Sequence, residues 1–315
     1  MKSLLKSALL FIAIGLVLYA GVYAAAERLM VRAGHSNPFF KIAATQRSSF
    51  DWVILGASHA MPMDFDDFNA YMQRETGLEI LNLAATGAGP LYNRFVLEHF
   101  LRTHRAKNVL YVVDSFGFYS RTWNEERFGD AKLLRGTPLE TSIAASLCAY
   151  TRSEGVDPRA LLDYLSGFSK INNRDRFKRD AWEGEAQFGR VYPASASAVK
   201  KRIDYLYPDK ASPAALQRYL GVLSRLIADA RGAGASVLVI KMPTPTQFRS
   251  QLPNEAAFDQ ALARMLAGAR VPLLDYSAVM GESRYFFDTD HLNRTGLTQF
   301  FVRYLRPELI QAKPG

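Results

Sequence analysis

The sequence predicts a doubly wound α/β domain with a parallel sheet, preceded by an apolar helix and interrupted by one long insertion. Three observations carry this. Five short apolar runs, rich in β-branched residues, recur at 51–58, 79–84, 108–114, 236–243 and 271–276. Such near-continuous runs suit strands buried on both faces of a sheet. Amphipathic stretches at 65–76, 91–104, 213–231, 255–267 and 295–309 separate them, and strands alternating with helices indicate parallel pairing. The alternation breaks between 115 and 212.

Taken in order, residues 1–30 come first. Residues 7–26 are twenty consecutive residues without a charge, preceded by Lys2 and Lys6 and followed by Glu27, Arg28 and Arg32. At ~1.5 Å per residue they make roughly 30 Å of helix, the thickness of a bilayer's hydrocarbon core. Ala24-Ala25-Ala26 resembles a cleavage site, but the run exceeds the roughly 7–15 residues of a signal-peptide core. We therefore read residues 1–30 as an uncleaved transmembrane signal anchor. The basic leader favours a cytoplasmic amino terminus, which leaves the rest on the outer face of the inner (cytoplasmic) membrane.

Residues 31–50 read as a stalk or packed lead-in, and residues 51–310 as the α/β domain. Within it, Tyr92, Phe95, Val96, His99 and Phe100 mark one buried helical face by their 3–4 spacing. The insertion, 115–212, is too long for a loop and is predicted to carry its own helices. It holds Trp123, Trp182, Tyr192, Tyr205, Tyr207 and the basic cluster Arg174, Arg176, Lys178 and Arg179. An insertion after a strand's carboxyl end belongs over the ligand crevice of an α/β sheet. It is read as a cap or substrate platform, the alternative being a decoration on one flank.

Composition narrows the function classes. A single cysteine, Cys148, excludes an internal disulfide framework and any Cys-rich metal cluster. The 49% apolar content excludes a disordered chain. Thirty-nine basic against 30 acidic residues give a formal +9, yet no nucleic-acid recognition motif accompanies the excess. Three of the basic groups and one acidic group lie in the first thirty residues, so the remainder carries +7. The excess suggests an anionic partner or surface; charge alone names no function.

Three segments at the ends of predicted elements have chemical potential. Gly56-Ala57-Ser58-His59 follows the first strand, where a serine meets the amides and dipole of the next helix. The segment from Asn82 to Gly89 follows the second strand, and its glycines let backbone amides approach a bound group. Asp288-Thr289-Asp290-His291 precedes the last helix. Serine is a weak nucleophile that needs a base, and the base needs an orienting carboxylate; Asp288-x-x-His291 offers both. Taken singly, each segment is equally a cap or a turn. His35, His99 and His104 fall in stalk-like or helical contexts, and no His/Asp/Glu set has metal-ligand spacing.

In combination, Gly-x-Ser58, then Asn-(x)4-Gly87, then Asp288-x-x-His291 resembles the SGNH (GDSL-type) hydrolase superfamily, over roughly 51–114 and 236–310. The resemblance implies a flavodoxin-like sheet in the order 2-1-3-4-5. It implies Ser58 as nucleophile, His291 as general base, Asp288 as its orienting partner, and the Ser58 and Gly87 amides in the oxyanion hole. No cofactor is expected. The family's Gly-x-Asn-Asp after strand three is absent: the chain reads Asp114-Ser115-Phe116-Gly117, with Ser115 or Asn93 as the conceivable replacements for the missing amide.

These departures are similar to a membrane-anchored branch that includes proteins of teichoic-acid D-alanylation and exopolysaccharide O-acetylation. The expected function is a serine esterase or O-acyltransferase acting on an envelope glycan. Its expected partners are an acyl donor, the glycan, with Arg174, Arg176 and Arg179 as substrate contacts, and a multi-pass membrane acyltransferase. A catalytically silent polysaccharide-binding or scaffold subunit is the alternative.

Overall fold

The computed structural model describes residues 2–33, 36–175, 178, 182 and 184–311. Five strands form one all-parallel sheet in the order 2-1-3-4-5: β1 (Ser49–Leu55), β2 (Ile80–Asn82), β3 (Arg105–Val112), β4 (Ser236–Lys241) and β5 (Leu273–Asp275). This is the flavodoxin-like order. Each expected strand is present. β1 and β3 begin earlier than their apolar runs, because Ser49 pairs with Arg105 and Phe50 with Ala106. Polar starts of this kind are invisible to an apolar-run reading.

Alternation along the strands builds two faces. Trp52, Ile54, Leu110, Val112, Leu238 and Ile240 join a cluster with Phe68, Met72, Leu297, Phe300 and Phe301. Residues of the opposite parity, Val53, Leu55, Val109, Tyr111 and Val239, are buried as well, as a sheet covered on both sides requires.

Two predicted helices differ in detail. Asp66 and Asp67 take positive φ values of 44° and 61°, so the stretch expected to be helical from 65 becomes an α-helix only at Phe68–Thr76, after a 3₁₀ run over Met61–Asp67. The final helix is divided into Arg294–Phe300, a π-turn over Phe301–Leu305 and Arg306–Gln311. The wider turn lets the adjacent Phe300 and Phe301 both face the core, where each is fully buried. Burial of two such rings, roughly 1.5–3 kcal/mol each, favours it.

The chain divides into two compact units. Residues 44–127 and 182–315 form the α/β unit, and residues 1–43 with 128–181 form the other. The insertion expected as a single platform over 115–212 is therefore split. Its middle belongs with the N-terminal helix, which runs from Lys2 to Ala33. That helix is the only one among the described residues long and apolar enough to cross a membrane. Within that unit it packs against the Pro158–Ser166 and Phe168–Ile171 helices.

Candidate active site

β1 ends at Leu55 and the chain turns at Gly56, whose φ of +146° excludes other side chains. A Cβ there would stand 2.8 Å from the Val112 carbonyl oxygen and 2.9 Å from the Val112 Cβ. The turn closes with Ala60 N–H donating to Ala57 O and Met61 N–H to Ser58 O. The sequence places Ser58 at the start of a helix; instead one turn and the 3₁₀ run intervene, and the α-helix begins ten residues later. An α-helix dipole acting directly on Ser58 is thus removed from the account.

The Asp288–His291 segment is held as a tight loop. One Asp288 oxygen accepts from the backbone N–H groups of Asp290 (3.0 Å) and His291 (2.8 Å). Phe286 bridges to Leu292, and Phe287 N–H donates to His291 O. Asn293 then caps the last helix through Gly296 N–H. The loop carries the imidazole to the first strand: His291 Nε2 lies 2.9 Å from Ser58 Oγ, and Nδ1 lies 2.8 and 2.9 Å from the two Asp288 oxygens. With Nδ1–H donating to Asp288, Nε2 is left to accept the serine proton. Ser58, His291 and Asp288, picked from two separate segments, are brought together in the geometry a nucleophile–base–orienter set needs.

Aromatic rings fix the imidazole. Phe287 stacks on it at 5.6 Å and 13°, and Trp182 meets it edge-on at 4.9 Å. Ser58 and His291 are 3% and 1% exposed, a dry setting in which electrostatic interactions strengthen.

A second, buried charge chain lies beside the first and escaped the sequence reading. His59 Nδ1 is 2.5 Å from Asp114 at the end of β3, and its Nε2 is 3.4 Å from Asp290. Asp290, fully buried, is gripped by Arg202, whose Nε lies 3.0 Å from both carboxylate oxygens and whose Nη2 lies 2.9 Å from one. Asp290 also stands 3.6 Å from His291 Nδ1. Burial disfavours a charged His59, but Asp114 and then Asp290 outweigh it and raise its pKa to about 10. Burial likewise opposes ionisation of Asp290, yet His291, Arg202 and His59 hold its pKa well below the usual carboxylate range.

Donor atoms of His59, Asp290 and His291 lie within 4.8 Å of one another. Both ring nitrogens of His291 are engaged by Ser58 and Asp288, and Asp290 already faces two cations. The spacing in sequence shows no metal set, yet the fold gathers these three donors; each of them is also engaged in the hydrogen bonds and ion pairs just described.

The turn after β2 runs alongside the Ser58 turn, with Leu83 N–H donating to Ile54 O and Ala85 N–H to Gly56 O. Gly87 sits in it at φ +64°, where a Cβ would press to 2.7 Å from the Trp123 ring. Neither replacement for the missing oxyanion amide is free. Asn93 accepts from Gly56 N–H and donates to the Ala88 and Gly89 carbonyls, riveting the two turns together. Ser115 is bonded to Tyr207 and Glu255, and Glu255 is held in turn by Lys241.

Of the three arginines expected to bind substrate, Arg174 is exposed and belongs to the unit formed by 1–43 and 128–181. Arg176 and Arg179 lie outside the described residues. Arg202, from the Ala196–Leu206 helix within the expected insertion, does reach the site through Asp290.

No protein-family model matches the chain, and no curated protein does. Among solved structures, a provisionally named acylhydrolase of Bacteroides fragilis matches at 9% identity and a TM-score of 0.42, over 89% of this chain and 98% of that one. A GDSL-like lipase of Bacteroides thetaiotaomicron matches at 9% identity and a TM-score of 0.39, over 85% of this chain and 94% of that one. The likeness is one of chain trace only.

Proposed function

We propose that this chain is a membrane-anchored, SGNH-type serine acyl-ester enzyme. The observation that carries the reading is the continuous Ser58–His291–Asp288 hydrogen-bond chain, with its 2.9 Å Oγ–Nε2 contact. Ser58 Oγ attacks the acyl carbonyl as His291 Nε2 takes its proton, and Asp288 stabilises the imidazolium that results. The Ser58 and Gly87 amides receive the oxyanion. On collapse the C–O bond to the leaving group breaks, His291 returns the proton to that oxygen, and an acyl-serine remains. His291 then deprotonates water or a sugar hydroxyl, which attacks the acyl-serine and frees Ser58.

The substrate we assign is an acylated envelope glycan or its acyl donor. The support is the 7–26 span, which tethers the domain to a membrane, together with the basic surplus. The domain is assigned to the extracytoplasmic face of the inner membrane, and a multi-pass acyltransferase is the fitting donor of acyl groups. Arg174, Arg176 and Arg179 are the proposed contacts to an acidic polymer. Incubation with an activated acetyl ester, wild type against Ser58→Ala, tests the enzyme reading, and equal background rates for both would overturn it.

One observation favours a second reading, a catalytically silent glycan-binding subunit: Asn93 and Ser115 are both committed to structural bonds, so neither is free to serve the oxyanion hole. A lost donor of this kind costs on the order of 100- to 1000-fold in turnover. Glycan binding that survives Ser58→Ala, with no acyl-serine detectable by mass spectrometry, would decide for it.

A further inference from the structure

The unit formed by residues 1–43 and 128–181 carries an apolar surface that the proposed chemistry does not use. Tyr19 donates its hydroxyl to Ser166 O at 2.8 Å, and Tyr23 donates to Tyr164 O at 3.1 Å. Lys170, buried, pairs with Glu27. The Pro158–Ser166 and Phe168–Ile171 helices are therefore fastened to the N-terminal helix at three successive levels. Two of these levels, Tyr19 and Tyr23, lie inside the uncharged stretch 7–26, and Tyr19 stands ~10 Å short of its end along the axis.

On the outer side of this attachment, Leu162 is 65% exposed, Leu165 49% and Phe168 61%. Leu162 and Leu165, three residues apart in one helix, share a side, Phe168 follows across the Gly167 turn, and Ala160 and Tyr164 are buried. Two neighbouring charges are held by partners. Asp163 accepts from Ser169 N–H at 2.8 Å and from its hydroxyl at 2.6 Å, and Lys170 is closed onto Glu27. Leu162, Leu165 and Phe168 thus extend the exposed apolar surface of the N-terminal helix, where Leu16, Val17, Leu18 and Val22 are 51–72% exposed.

We propose that the 158–171 helix pair lies in the interfacial layer of the bilayer that the N-terminal helix crosses, with Leu162, Leu165 and Phe168 immersed in lipid. The inference rests on the reading of residues 7–26 as a spanning anchor. Depth decides for lipid over a soluble protein partner, because side chains bonded at the level of Tyr19 and Tyr23 sit among acyl chains and headgroups. Tyrosines that bridge the two segments suit the membrane–water boundary, and a short amphipathic helix with an apolar outer side is the form that lies in that plane. The chain then holds the membrane by a span and by a flat second contact, which fixes the rotation of the anchored unit about its own helix.

The full-length protein, with Cys148→Ser and a single cysteine at Leu165 or at Phe168, would carry an NBD dye. It would be reconstituted in vesicles of phosphatidylcholine and phosphatidylglycerol, with Val17→Cys as the reference for the span. We expect blue-shifted emission at Leu165 and Phe168, quenching by lipid doxyl-labelled near the headgroup, and loss of the iodide quenching seen for free dye. A lipid-quenched Val17 dye with Leu165 and Phe168 dyes open to iodide would overturn the interfacial contact and leave the anchor standing. Shielding of those two dyes from iodide and lipid alike would overturn it too, by showing a protein covering. A Val17 dye that lipid fails to quench would overturn the anchor reading, and this inference with it.

Discussion

His59 and Asp290 lie 3.4 Å apart, Nε2 to carboxylate oxygen, inside the α/β unit. Each is the sequence neighbour of one end of the Ser58–His291 hydrogen bond. The Ser58 loop and the His291 loop are therefore joined twice, once by that bond and once by an ion pair behind it. Asp114 anchors the pair to the end of β3 and Arg202 anchors it to the Ala196–Leu206 helix, so four separate parts of the chain meet at one compensated charge cluster.

Replacing Ser58 with Ala removes the proposed nucleophile and should leave the fold, since what is lost is a hydroxyl bonded to His291. Hydrolysis of an activated ester should fall by at least ~10⁴-fold, and mass spectrometry should lose the acyl adduct. An unchanged melting temperature would show that the loss is chemical.

Asp288→Asn keeps an oxygen that can still accept from the Asp290 and His291 amides, so the loop should persist. The amide cannot hold the His291 tautomer that a serine base needs. Turnover should drop ~10⁴-fold with little change in denaturation midpoint, as steady-state kinetics and urea unfolding would measure.

Asp290→Ala should act on stability first. It leaves Arg202 without its carboxylate and His59 with Asp114 alone, and stranding buried charge costs about 3–5 kcal/mol. Chemical denaturation reads this directly. A cost below ~1 kcal/mol, the range of exposed pairs, would show that the cluster does not bind the loops together.

The pH dependence of folding follows from the same group. The pKa of His59 is raised from 6.5 to about 10 on folding, so its stabilising contribution is full below 6.5 and is lost as pH rises through about 10. Urea unfolding at successive pH values should show stability declining on the alkaline side, and His59→Gln should flatten that decline. Asp290, depressed on folding, contributes in the opposite sense: its share is present above about 3.8 and fades in acid.

The sheet and the convergence of Ser58 with Asp288 and His291 were legible for different reasons. Parallel strands buried on both faces write themselves as apolar runs, and all five were readable, with only the polar starts at Ser49 and Arg105 hidden. Ser58 and Asp288-x-x-His291 were readable because chemistry restricts their spacing. The second charge chain was not, since His59 and Asp114 are 55 positions apart, and Arg202 and Asp290 are 88 apart. No local pattern links them until the fold closes. The commitments of Asn93 and Ser115 were hidden for the same reason. The splitting of the insertion also eluded the sequence, because its composition does not change at 128 or 181.

The 233 positions between Ser58 and His291 set an order in time. As the chain leaves the ribosome, the turn carrying Ser58 emerges among the first strands and His291 among the last residues of the domain. Until the loop at 286–292 docks, Ser58 is an ordinary alcohol with an ordinary alcohol's indifference to esters. On the proposed function, reactivity is thereby tied to completion: a nascent or truncated chain carries the serine without the base assigned to it.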